Sequence, residues 1–490
     1  MPLLAKIPNS LREAGVYGAA FGISRLSGIL LLPLLTNRLS DGELGVFGLL
    51  TSTTLLLQFL SGLGLDSGAT RWFYEAQALG LRDAELRDDR RRTLATWVWA
   101  TLLISVGLSS IGIVLAGPIA HTLFDGSGHH VAAVRASALT IPALAMINVL
   151  QHWYRMVRRP LPAFVIAVLV AAGTLTLTVV LVAIRDYGIV GVFGAQASVG
   201  TVATVIGLRQ MWPEIGLSNV DRVRLKRMLT YSLPLLPALA SPFLVGLLIR
   251  VLIRVLSNVD EVGKFQVVSM ISTVVVVLTT AVQQAWEPFS LSIPDRLGAK
   301  PIYRAMLFFY AVLVGFIVVA LAGLLPLVLP ILGQRFVALA VPTVVFSASV
   351  LISGAFPIIN TGPSIAGTGR PALEAMVSGS LLSLVFCAVL VPGMGQRGAS
   401  WAALIAAFVT VFVGLYRSER SWHVGYPLQE VGVAVVGGAA IAAFAYELGH
   451  RSNISVFGRA VGVGLLLALF AAVAGSRIAR LFQVLRSHAA

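Results

Sequence analysis

The sequence predicts an all-α polytopic membrane protein of about fourteen transmembrane helices. Three observations carry that expectation. The chain has 490 residues, 57% of them hydrophobic and only 12% charged, roughly half the charged share of an ordinary soluble domain, and its mean hydropathy is +0.89. Apolar runs of about 20 residues, long enough for a bilayer core of about 30 Å, recur from end to end. The gaps between them alternate between many and few basic residues, which is the positive-inside bias of a chain that threads a membrane repeatedly.

The first six runs cover 14–37, 43–65, 93–117, 131–154, 161–184 and 188–209. The turn "NRLSDGE" separates the first from the second, which closes at the Gly-rich "GLGLDSG". The basic stretch "RDAELRDDRRR" precedes the third, and "FDGSGHH" precedes the fourth. Pro160 opens the fifth, and "RDYG" parts it from the sixth. A polar linker at 213–229 follows. Six more runs cover 230–256, 263–286, 302–331, 337–361, 371–391 and 398–417, and two last ones 428–447 and 456–475. Pro326 and Pro330 lie late in the ninth run, so a kink or re-entry is expected there.

With the N-terminus inside, the even gaps are cytoplasmic and collect about 25 of the 36 Lys and Arg. Arg87, Arg90, Arg91 and Arg92 fall there, as do Arg155, Arg158, Arg159, Arg222, Arg224 and Arg227. Both termini are then cytoplasmic. "MPLLAKIPNSLREAG" is too polar for a signal-peptide core, so the first helix itself acts as insertion signal.

The net charge of +15 follows from this topology and does not point to nucleic acid, for no basic folded domain exists to bind it. The lone Cys387, in an apolar run, offers neither a disulfide nor a thiolate metal site. No Walker loop, helical His-Glu zinc motif or Gly-x-Ser-x-Gly elbow occurs, so no enzyme, cofactor or metal is expected.

An internal repeat is visible. "RLSDGELGVF" (38–47) joins the first two runs, and "RVLSNVDEVGKF" (254–265) joins the seventh and eighth. "DYGIVGVFGAQA" (186–197) opens the sixth run, and "PGMGQRGASWAA" (392–403) opens the twelfth. Six helices are followed by six like them, an arrangement that recurs in transporters with a site between the halves. The expected domains are an N-lobe at 1–212, the linker, a C-lobe at 230–420, two extra helices at 427–475 and a cytoplasmic tail at 476–490.

These residues resemble a known family. "SRLSGILLLPLLTNRLSDGELGVFGLL" is similar to the opening of bacterial polysaccharide and lipid-linked oligosaccharide flippases, of the multidrug/oligosaccharidyl-lipid/polysaccharide exporter superfamily. "GLGLDSGATRWFYE", "YSLPLLPALAS", "QQAWEPFSLSI" and "VPGMGQRGASWAALIA" resemble patterns that follow in the same order, over about residues 14–475. The resemblance implies two six-helix lobes in a V around a central cationic cavity, in a bacterial inner membrane. It implies alternating access that moves an undecaprenyl-diphosphate-linked oligosaccharide from the inner to the outer leaflet. Polysaccharide polymerase or export machinery is an implied partner, and H+ or Na+ an implied coupling ion. One departure stands out: Ile249 occupies the place where many relatives have Asp, beside Arg250.

Charges inside the spans are the candidate site residues. Arg25 sits near the middle of the first run, and Arg250 and Arg254 share one face of the seventh. A guanidinium cannot shed its charge and costs several kcal/mol at mid-membrane, so a diphosphate is a fitting partner. For Arg25 an internal ion pair is the alternative; for Arg254, snorkelling to the headgroups. Asp66 and Glu287 close helices in "GLGLDSG" and "QAWEPF", as caps or loop partners, or as coupling groups. Asn148, Gln151, His152, Gln283, Gln284 and Asn360 could bind sugar hydroxyls or join helices by hydrogen bonds. The tryptophans fall at expected interfaces, Trp286 doubling as a sugar-stacking candidate. A peptidoglycan-precursor flippase and a cation-coupled multidrug exporter are the rival readings; the exporter predicts deep carboxylates, which the spans lack.

Overall fold

The computed structural model describes residues 18, 22–23, 27–78, 83–124, 130–234, 236–293, 298, 300–366, 368–450 and 458–470. Among them every regular element is helical. Twelve stretches are long and apolar enough to cross a membrane. The first expected span is described continuously only from residue 27, and the fourteenth is described as the apolar helix Gly458–Phe470.

The chain divides into two units, residues 1–254 and 255–490. The first holds α1 (Leu32–Arg38), α2 (Asp41–Ser61), α3 (Leu65–Ala78), α4 (Asp83–Val114), α5 (Ala116–Leu123) and α6 (Val131–Met156). It continues with α7 (Pro160–Thr178), α8 (Gly188–Met211), α9 (Arg222–Ser232) and α10 (Leu236–Leu256), at whose end the division falls. The second holds α11 (Val259–Ser292), α12 (Lys300–Leu332), α13 (Ala340–Ser353), α14 (Phe356–Ile359), α15 (Thr361–Ile365), α16 (Arg370–Met394), α17 (Gln396–Ser421), α18 (Leu428–His450) and α19 (Gly458–Phe470).

Local chemistry explains the boundaries. Ser40 caps α2 in a capping box, its hydroxyl accepting the Glu43 N–H while Glu43 Oε2 accepts the Ser40 N–H at 2.9 Å. Asn258 caps α11 through the Glu261 N–H at 2.9 Å. These caps fall at equivalent places in the two echoes, each followed by Glu at the third helical position. The other pair of echoes agrees as well: Gly188 (φ +50°) and Gly395 (φ +55°) turn the chain into α8 and α17. Within each unit the echoes meet. Arg38 pairs with Asp186 at 3.1 Å in the first, and the Gln396 N–H donates to Glu261 Oε2 at 2.8 Å in the second.

The linker folds onto the first unit. Asp221 caps α9 with Oδ1 accepting the Val223 and Arg224 N–H groups, and its own N–H donates to Thr96 Oγ1 at 2.9 Å. Arg224 pairs with the Asp89 carboxylate and donates to the Asp89 carbonyl at 2.8 Å, tying α9 to α4. The core of this unit gathers Leu65, Phe73, Trp97, Met146, Trp153 and Met211; that of the second gathers Val275, Trp286, Tyr303, Tyr310 and Ile358.

Three expectations are corrected. The chain breaks after Ser61 through the left-handed Leu63 and Gly64, so Asp66 opens α3 rather than closing the second span. The helix α12 runs unbroken through Pro326 and Pro330; the carbonyl that Pro330 leaves without a donor four residues back belongs to Pro326 itself. Trp97, Trp153 and Trp286 are core residues, not belt residues. Partners inside the protein take the indole N–H of two of them: Glu214 for Trp153 at 3.3 Å, and Thr361 for Trp286 at 3.0 Å.

Candidate functional site

In the first unit, α2, α3, α4 and α6 enclose a polar cavity of about 220 Å³. Gln58, Asp66, Thr101, Asn148, His152 and Arg155 supply its polar groups, and Phe59 and Trp97 supply aromatic surface. Asn148 and His152 reach it together because four residues separate them on α6. Asp66 arrives from the first turn of α3, where the left-handed turn at Leu63 and Gly64 re-aims the chain. That turn requires glycine at 64, since a Cβ there would also crowd Ser232 of α9 at 3.3 Å.

The hydrogen bonds fix the state of His152. Arg155 Nη2 lies 3.2 Å from Nδ1 and can only donate, so Nδ1 accepts. The proton of the neutral ring is therefore on Nε2, which donates to Thr70 Oγ1 at 2.7 Å. Thr70 passes its own hydroxyl hydrogen to the Asp66 carbonyl at 2.8 Å. The Trp97 ring meets the imidazole edge-on at 5.6 Å between centroids. A relay thus runs Arg155, His152, Thr70, Asp66 across α6 and α3. Carboxamides, a carboxylate, a guanidinium and aromatic rings around one small cavity suit a hydroxyl-rich or charged ligand.

The other candidates do not join this cavity. Arg250 and Arg254 lie half-buried on α10. Arg250 Nη1 donates to Gly246 O at 3.0 Å, and Arg254 Nε donates to Leu123 O at 3.4 Å, a carbonyl left over at the end of α5. Gln283 Nε2 reaches Gly354 O at 3.4 Å; Gln284 is exposed. Asn360 sits between α14 and α15, its amide 3.4 Å from Ser364 Oγ. Gln151 is half-buried on α6. Trp286 is 4% exposed, which leaves no face for a sugar and corrects that expectation. Arg25 and the side chain of Glu287 lie outside the described residues; Glu287 does not close its helix as expected, for α11 runs on to Ser292. Sequence reasoning missed Thr70, Trp97, Thr101 and Gln58; only the spacing of Asp66 to Thr70 on one helical face could have signalled the first of them.

The model of the family described as "Polysaccharide biosynthesis protein" matches residues 10–293. The chain belongs to this family. No curated protein sequence matches it. Among solved structures it is similar to the lipid II flippase MurJ in an inward closed conformation, with TM-score 0.66, 12% identity, and 95% of this chain and 98% of that one covered. It is also similar to an inward-facing multidrug resistance MATE family transporter of the MOP superfamily, with TM-score 0.64, 14% identity, and 82% and 98% covered. A MOP superfamily transporter from Pyrococcus furiosus follows, with TM-score 0.56, 12% identity, and 86% and 95% covered. The family member described here therefore has the MOP-superfamily fold and is a multi-pass membrane protein.

Proposed function

We propose that the protein is a flippase for polyprenyl-diphosphate-linked oligosaccharides of the O-antigen or exopolysaccharide kind. It would work by alternating access in a bacterial cytoplasmic membrane with both termini inside. The observation that carries this reading is membership of a polysaccharide-biosynthesis family in a chain whose fold covers 95% of itself on a lipid II flippase. A membrane protein of that family with this fold has a lipid-bound glycan intermediate as its natural cargo. The arginines Arg25 and Arg250 would engage the diphosphate, with Arg254 at the rim, because guanidinium forks bind phosphate oxygens bidentately. The cavity at Asp66, Asn148 and His152 would hold sugar hydroxyls, and the lipid tail would stay in the bilayer. Energy would come from H+ or Na+ coupling, Asp66 and Glu287 being the candidate carriers.

Proteoliposomes carrying labelled undecaprenyl-diphosphate oligosaccharide in one leaflet test this. Accessibility to an external glycan-cleaving enzyme should rise with wild type and fall at least tenfold with Arg25→Ala and Arg250→Ala, all folded. A peptidoglycan-precursor flippase would move lipid II and not the oligosaccharide. One observation favours a cation exporter instead: Asp66 is a carboxylate in a small, partly aromatic cavity. Uptake of an organic cation that is lost in Asp66→Asn, with no glycan-lipid movement, would establish that reading.

A further inference from the structure

We propose that the second unit holds a binding site for an acidic sugar at the end where α11 and α17 begin. A cavity of about 490 Å³ lies there, its charged and amide side chains being Asn258, Glu261, Lys264, Arg335, Gln396 and Arg397. Three cations face one carboxylate, and that carboxylate is engaged. Glu261 Oε1 takes Lys264 Nζ at 2.7 Å, and its Oε2 takes the Gln396 N–H at 2.8 Å. Arg335 Cζ lies 4.6 Å from the centroid of the Phe336 ring. The cavity is thus cationic, with two guanidinium forks suited to an oxyanion.

A second observation narrows the ligand. Gln396 is 3% exposed, and its Oε1 is buried with no hydrogen-bond partner among the described residues. Such an orphaned acceptor is costly and wants a donor. A fully deprotonated oxyanion such as sulfate has none to offer, whereas a sugar hydroxyl has. A molecule with both, a hexuronate or similar acidic sugar, satisfies the arginines with its carboxylate and reaches Gln396 with a hydroxyl after a small rotation of the amide. At the equivalent turn of the first unit Glu43 folds back on Ser40, and Arg38 is bridged to Asp186. On the proposed orientation this end faces outward, where a translocated glycan emerges, but the site itself does not depend on that orientation.

The test is binding to the full-length protein in nanodiscs by titration calorimetry, with digalacturonate, neutral cellobiose and sulfate as probes. Digalacturonate should bind saturably with Kd below about 1 mM, at least tenfold more tightly than sulfate, and cellobiose should not bind. Arg397→Gln and Arg335→Gln should each weaken digalacturonate about tenfold, and Gln396→Leu should weaken digalacturonate but not sulfate. Both arginines are exposed, so folding should survive, and circular dichroism checks it. Equal binding of sulfate and digalacturonate, indifferent to Gln396→Leu, would reduce the site to a plain anion sink and overturn the proposal. So would the absence of saturable binding to folded protein. The readout is binding rather than transport: protein that binds digalacturonate and moves no lipid-linked glycan overturns only the flippase reading, and the reverse result overturns only this one.

Discussion

Gly395 and Gly188 occupy the same place in the two halves but differ in what surrounds them. Both have a positive φ, which costs an L-residue roughly 1–3 kcal/mol, and at ψ −136° Gly395 lies outside the left-handed helical well. At Gly188 a Cβ would find nothing nearer than Glu43 Oε1 at 3.8 Å, so Gly188→Ala should cost only that backbone strain. At Gly395 the same atom would collide with the Glu261 carboxylate. Gly395→Ala should therefore lose the Gln396–Glu261 hydrogen bond too, for a total of about 2–4 kcal/mol. Thermal unfolding in one detergent should show the larger fall for Gly395→Ala; equal falls would refute this account. The echoed segments that hold these glycines and the Ser40 and Asn258 caps were legible as a repeat, though not as caps, because each segment is a local pattern. The cavity was half legible: Asn148 and His152 declare themselves by spacing four apart, but Thr70 and Trp97 reach His152 from other helices. Contacts across 82 residues leave no trace in a local pattern. Trp286 misled for the same reason, since its buried partner Thr361 lies 75 residues away.

Among the elements, α9 has a cap that titrates. The Arg224 and Val223 N–H groups, the former foremost, hold the Asp221 carboxyl below its ordinary value. A carboxyl lowered in the folded state contributes stability that is complete above its unfolded pKa of about 4 and is lost as pH falls through the folded value. Protection factors of the amides over Arg222–Ser232, corrected for the intrinsic slowing of exchange in acid, should fall between about pH 5 and pH 3, more than in neighbouring spans. In Asp221→Asn, which keeps a capping oxygen but cannot titrate, that fall should vanish. An unchanged pH dependence in that variant would sink the assignment. The sequence showed this segment as a polar linker but not its attachment, because the tie depends on Asp89, which reads as one member of a charged run. Helix ends near the membrane were likewise blurred: hydropathy marks where apolar residues stop, whereas α4 extends through its charged residues as far back as Asp83.

For the whole molecule, the twofold repeat of six helices was legible as echoes in the sequence, and the echoed turns return with matching caps and matching positive-φ glycines. What hydropathy could not reveal is how the last two helices are held. A Cβ at Gly438 of α18 would lie 2.8 Å from Gly315 Cα of α12, and one at Gly449 would lie 2.6 Å from Gly323 O. From α19, Phe470 and Val463 press on the same two glycines of α12. Such backbone-to-backbone approach is how helices associate where lipid removes the hydrophobic drive. Gly438→Leu should force α18 away from α12 and release the C-terminal pair to protease, while Gly437→Leu, facing open space, should not. Equal cleavage of both variants would refute the seam. The helix α18 is thus welded to α12 backbone to backbone, with α19 wedged on the same glycines by Phe470 and Val463. A spin label or dye placed on the far side of α18 would ride with that unit as a rigid flagpole, and its angle would report the motion of the half it is fastened to.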